Sequence, residues 1–127
     1  MGLQSVLFTL VGIVIGAILG FYFTKKRFEK ELKENCDFII VCYHGGFEKS
    51  LDENMTPTEA LTKENQGSEL LENFDSINMI LSGHQHRSFI TKIKDVICSQ
   101  PMHNGQSFTK VVIDTESNDI SYELVKK

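Results

Sequence analysis

Apolar residues run unbroken by charge over residues 3–23, and beyond that point they fall into short clusters separated by polar stretches. The first pattern predicts a membrane-crossing helix. At ~1.5 Å rise per residue its 21 residues reach ~31 Å, close to the ~30 Å of a bilayer's hydrocarbon core. No Lys or Arg precedes the run, as a cleaved secretory leader would require. Lys25, Lys26 and Arg27 follow it directly, which by the positive-inside rule puts the carboxy-terminal side in the cytoplasm. The expected product is a single-pass membrane protein in contact with the lipid bilayer. Gly12, Gly16 and Gly20 recur every four residues on one helix face, where a second helix could approach and the chain could self-associate.

Past Asn35 the apolar clusters are too short for helices and rich in β-formers. They predict strands at 38–43, 77–81, 88–93, 96–99, 108–115 and 120–125, with a turn at 116–119 between the last two. One helix is expected near 64–73. Residues 45–63 lack a sustained period and contain Pro57, so an ordered loop and a floppy connector are both open readings. The order strand, helix, strand and then antiparallel strands makes the fold class α/β with a mixed sheet. Two domains are expected: residues 1–36, a transmembrane helix with its basic flank, and residues 37–127.

Charge and cysteines narrow the function. Residues 24–36 carry five basic and three acidic groups, leaving residues 37–127 with eight basic against fourteen acidic, a net of −6. Without a basic stripe to neutralise phosphates, nucleic acid is excluded as a principal partner. Cys36, Cys42 and Cys98 lack metal-site spacing, and nothing demands an oxidising compartment. Cys42 and Cys98, in apolar strands, are expected to be small buried side chains. Cys36, beside the basic cluster, is a position where palmitoylation would add a lipid anchor.

The chemistry concentrates in the histidines. Ser82-Gly83-His84-Gln85-His86 follows one apolar run, and Tyr43-His44-Gly45-Gly46 follows another. Neutral imidazoles ligate transition metals, and adjacent parallel strands would deliver His44, His84 and His86 to one sheet edge. His44-Gly45-Gly46 followed at a distance by Gly83-His84-Gln85-His86 resembles the last two metal-binding blocks of the calcineurin-like metallophosphoesterases. The wording at 38–48, 69–88 and 100–110 is similar to their bacterial 5'-nucleotidase and 2',3'-cyclic phosphodiesterase branch. The first 35 residues instead resemble the start of short YneF-like bacterial membrane proteins.

The resemblance implies a sandwich of two mixed sheets, of which residues 37–127 would be the partial, carboxy-terminal portion. It implies a hydrolase of phosphoric esters, 5'-nucleotidase-like and engaged in nucleotide catabolism, with divalent metal ions such as Mn or Zn as cofactors. His44 and His84 would serve one ion and His86 the other, while Asn104 would face the substrate. His103 is expected to be structural. Such a centre uses two ions ~3.5–4 Å apart, bridged by a shared carboxylate. The chain has no Asp-x-His, Gly-Asp or Asn-His block to supply that carboxylate or the acid for the leaving group. The expectation is a fragment that binds metal weakly and is inactive alone, joined to the membrane segment by natural fusion or by a degenerate or misassembled reading frame. The alternative is a non-enzymatic single-pass membrane protein or interaction module.

Overall fold

A computed structural model describes residues 2–127. The chain divides into two compact units, Met1–Cys36 and Asp37–Lys127. The first is a single helix, α1 (Leu3–Asn35), long and apolar enough to cross a membrane, with a mean hydropathy of 2.5 in its most apolar window. Its threonine hydroxyls are satisfied by its own backbone: Thr9 Oγ1 donates to Ser5 O and Thr24 Oγ1 to Gly20 O, each at 2.8 Å. This is what an apolar solvent demands of polar groups. The helix continues twelve residues past the uncharged run. There, Arg27 with Glu31 and Lys30 with Glu34 form pairs one turn apart on its surface.

The second unit holds seven elements: β1 (Ile40–Cys42), α2 (Gly67–Asn73), β2 (Met79–Leu81), β3 (Phe89–Ile93), β4 (Val96–Gln100), β5 (Ser107–Ile113) and β6 (Ile120–Lys126). The first four strands make one sheet in the order β1-β2-β4-β3, in which β1, β2 and β4 are parallel and β3 is antiparallel. The sheet is therefore mixed, as the element order predicts. β3 and β4 are joined through Lys94 and Asp95, both at positive φ, as a two-residue hairpin requires. β5 and β6 form a separate antiparallel ribbon. Its turn is tightened by Asp114, whose carboxylate accepts from the backbone N–H groups of Glu116 and Ser117.

Register explains which residues are buried. Val41, Ile80 and Cys98 stand side by side across three strands and join Phe47, Met55, Leu71 and Ile77 in the core. Cys42, one residue on in edge strand β1, points to the face opposite that row and lies exposed rather than buried as its apolar neighbours suggested; Cys98, on the central β4, is buried.

Residues 45–63 form an ordered loop. Phe47 is wholly buried, Met55 nearly so, and a bridge ties Lys49 to Pro57. α2 starts three residues later than its pattern suggests, because Glu64, Asn65 and Gln66 are drawn into long-range bonds. Gly46 N donates to Asn65 Oδ1 at 2.7 Å, and Gln66 N donates to the Tyr43 hydroxyl at 3.0 Å. The first-turn N–H groups of Ser68 and Glu69 are capped from afar by the buried carboxylate of Glu48, at 3.0 and 2.8 Å.

Candidate functional site

The parallel pair β1 and β2 ends with both strands delivering a glycine-containing turn to the same edge. Gly83 N donates to Gly45 O at 3.1 Å, stitching the two turns together. Carboxyl ends of parallel strands are where open α/β sheets present their chemistry. His44 leaves β1 here, and His84 and His86 leave β2.

Each turn is held by unusual local geometry. Gln85 N donates to Gly83 O at 2.9 Å while His84 sits at φ 76°, a γ-turn centred on the histidine. His86 is also in the left-handed region, at φ 54°. Two departures of this kind within three residues persist only where surrounding bonds enforce them. Gln85 supplies them. Its Nε2 donates to Phe47 O and its Oε1 accepts from Phe47 N, both at 2.9 Å, so one amide side chain pairs with the backbone of a fully buried residue 38 positions away. Downstream, Arg87 N donates to Oε1 of the buried Gln100, whose Nε2 donates to Ser82 Oγ.

The two glycines after His44 follow from the same packing. A Cβ on Gly46 would stand 2.0 Å from Gln85 Oε1, and one on Gly45 would stand 2.3 Å from the Tyr43 ring. Glycine is required at both for close approach, not for positive φ.

The structure sorts the histidines into two pairs. His44 and His84 lie with ring centroids 5.4 Å apart. His86 stacks on His103 at 4.4 Å with 22° between the planes, and the buried Nδ1 of His103 has no hydrogen-bond partner. His84 Nε2 also meets Glu64 Oε1 at 2.9 Å. His44 lines an open cleft with Cys42, Tyr43, Ser82, Gly83, Pro101 and Thr109. Asn104 is exposed on the turn after β4, at φ 57° beside Gly105 at 64°, and is not part of that cleft's lining. The Met102 N–H, just before this turn, donates to Ser107 Oγ at 2.7 Å.

Two contributors, Glu64 and Gln85, escaped the sequence pattern, while His103 was expected to be structural. Glu64 reaches a histidine 20 residues on, Gln85 works as a clamp between two ligand-type residues, and His103 acquires a stacking partner. Only His103 carried any signal, as an imidazole in a turn returning from β4.

The donors are of the right type for divalent transition metals, but too few converge. Among the described residues no group of three or more His, Cys, Asp or Glu side chains is arranged to hold an ion. The described residues by themselves therefore do not fit a two-ion centre.

No protein-family model matches the chain, and no curated protein matches it. Among solved structures, it is similar to a protein from Staphylococcus aureus provisionally assigned as a 5'-nucleotidase and crystallised with alpha-ketoglutarate. The two share 40% identity with a TM-score of 0.67, over 80% of this chain and 21% of the other. The chain thus spans about a fifth of the length of the structure it matches. At this identity the likeness supports a phosphoesterase-like relationship as well as a shared fold.

Proposed function

We propose that residues 37–127 carry the histidine part of a metal-dependent phosphoric-ester hydrolase centre of the calcineurin-like, 5'-nucleotidase-related kind, with nucleotides as the substrate class. The observation that carries this reading is the convergence of His44 and His84 at the carboxyl ends of two parallel strands, with His86 one clamped residue further on. The 40% identity to the Staphylococcus aureus structure supports it. In this reading His44 and His84 share one Zn or Mn ion and His86 belongs to a second, which His103 adjoins. When bound, such ions supply charge neutralisation at a phosphoryl group.

The chain is inactive by itself, because imidazoles without a bridging carboxylate do not hold two ions together. Activity would need a partner contributing that group and an acid for the leaving oxygen. α1 serves as a membrane anchor, with residues 37–127 on the cytoplasmic side. Its length, composition and basic flank support this reading.

The test uses the full chain in detergent micelles. Titration calorimetry with Zn²⁺ should show weak binding that is lost in His84→Ala. Hydrolysis of nucleoside monophosphates or bis(p-nitrophenyl) phosphate should not exceed the rate with metal alone. Equal Zn²⁺ affinity in wild type and His84→Ala would refute the assignment of the histidines. Metal-dependent turnover that vanishes in His86→Ala would refute the claim of inactivity.

A further inference from the structure

β1 lies at the end of the four-stranded sheet, so only one side of its backbone is used. Ile39 O accepts from Asn78 N and Tyr43 N donates to Leu81 O, each at 2.9 Å, which sets the alternation: residues 39, 41 and 43 turn their backbone groups toward β2. Ile40 and Cys42 turn theirs to the free side, where no strand of the described residues stands. Their side chains share the sheet face opposite Val41, and both are exposed, Ile40 at 41%.

Free strand edges are ordinarily blunted by a charge, a proline or a bulge. β3, the opposite edge, follows that rule with the exposed Lys92. β1 does not. From Phe38 to Tyr43 the chain runs through six residues with no charge, proline or glycine, the composition of a strand that pairs on both sides.

This edge complements itself. Laid antiparallel against a second copy and centred on Val41, Ile40 stands opposite the partner's Cys42, and Cys42 opposite the partner's Ile40. Both are hydrogen-bonding pairs that exchange N–H···O bonds in each direction, so every outward donor and acceptor of the two strands is used. The exposed side chains meet across the junction, an aliphatic against a thiol, with no charge on either side. A two-fold axis through Val41 closes the arrangement, and with one unblunted edge per copy it stops at two.

We infer that β1 is an interface between two copies of this chain, joining their four-stranded sheets edge to edge. A three-residue strand makes a weak contact in dilute solution. α1 offsets this by gathering copies into one bilayer, where their effective concentration is high. That step rests on the anchor reading, while the match of the edges does not.

The test is sedimentation equilibrium of the full chain in detergent micelles over a range of protein-to-detergent ratios. Wild type should be a dimer that dissociates as detergent is added. Cys42→Pro removes an outward N–H from each copy at an edge position where proline leaves the inward ladder intact, and Ile40→Lys places a charge in the junction. Each should raise the dissociation constant about tenfold or more, the effect of two lost hydrogen bonds. Cys98 should stay unreactive in both and report an intact sheet. Should Cys42→Pro expose Cys98, Ile40→Lys carries the test. In a Cys36→Ser chain, Ile40→Cys treated with diamide should give a dimer linked to the partner's Cys42, because hydrogen-bonded cross-strand pairs hold Cα atoms ~5.5 Å apart, within disulfide range. A wild type that is monomeric at every ratio, a dimer unaffected by Ile40→Lys, or assembly beyond two copies overturns the proposal. A dimer lost in the edge variants, together with release of the chain from membranes by carbonate, leaves the edge pairing standing and fails the anchor alone.

Discussion

The clamp between Gln85 and Phe47 can be tested by a double-mutant cycle with Gly46. Gln85→Ala removes two hydrogen bonds of 2.9 Å and strands the backbone N–H and C=O of Phe47, a residue with no exposed surface. A satisfied hydrogen bond contributes about 0.5–1.5 kcal/mol, and a buried group left unpaired costs about 1–3 kcal/mol. The expected loss is about 2–4 kcal/mol, allowing for water that enters the space left by the amide. Gly46→Ala should do the same damage by another route. Its Cβ would lie 2.0 Å from Gln85 Oε1 and 2.1 Å from Cδ, so the amide must leave. In the double variant the Cβ meets no amide, and stability should match Gln85→Ala alone. The coupling energy is then close to the whole effect of Gly46→Ala, well above the ~0.5 kcal/mol within which independent sites add. Urea titration of the full chain in micelles, read by pulse proteolysis of the carboxy-terminal unit, gives all four values. Losses that simply add, or a Gln85→Ala loss below ~0.5 kcal/mol, would show that the amide does not hold the histidine turn.

Three further expectations concern other parts of the chain. Burial pushes the Cys98 thiol up to about 12, whereas Cys36 and Cys42 are exposed. An aromatic disulfide reagent at pH 8 should therefore modify two thiols in the native chain and the third only in denaturant; three fast thiols would contradict the sheet order. The backbone N–H of Ser117, and then that of Glu116, hold the Asp114 carboxyl below its ordinary 3.8. A depressed carboxyl stabilises the hairpin above its unfolded value and loses that contribution as pH falls through the folded one. The Asp114 resonance should thus titrate below 3.8 and the Asp114→Asn hairpin should lack this acid dependence; a midpoint above 3.8 would contradict the turn geometry. α1 should keep the chain in the membrane fraction after carbonate washing, and the carboxy-terminus should be cleaved by protease added from the cytoplasmic side. Release by carbonate, or protection from that protease, would refute the anchor or its orientation.

Much of the local structure was legible because it depends on nearest neighbours in sequence. The uncharged run of residues 3–23 could only be helix in an apolar solvent, and α1 contains it whole. The strand clusters emerged within a residue or two, since β-branched runs between turn residues have few alternatives. The histidine blocks were visible because each follows an apolar strand, and strand ends are where an α/β sheet exposes side chains. What sequence could not supply was everything that depends on which segments meet. The face of the sheet that Cys42 falls on left it exposed despite its apolar surroundings. A carboxylate 20 residues before Ser68, Glu48, caps α2 from afar, and long-range bonds to Asn65 and Gln66 delay the helix's start. Gln85 carries no pattern that marks it as a clamp, because its partner is a backbone 38 residues away. The pairing of His44 with His84 and of His86 with His103 is likewise a consequence of two turns folded against one another. Sequence determined which residue types arrive at the ends of the strands; only the tertiary contacts decided which of them face each other, because those contacts join positions with no local relation in the chain.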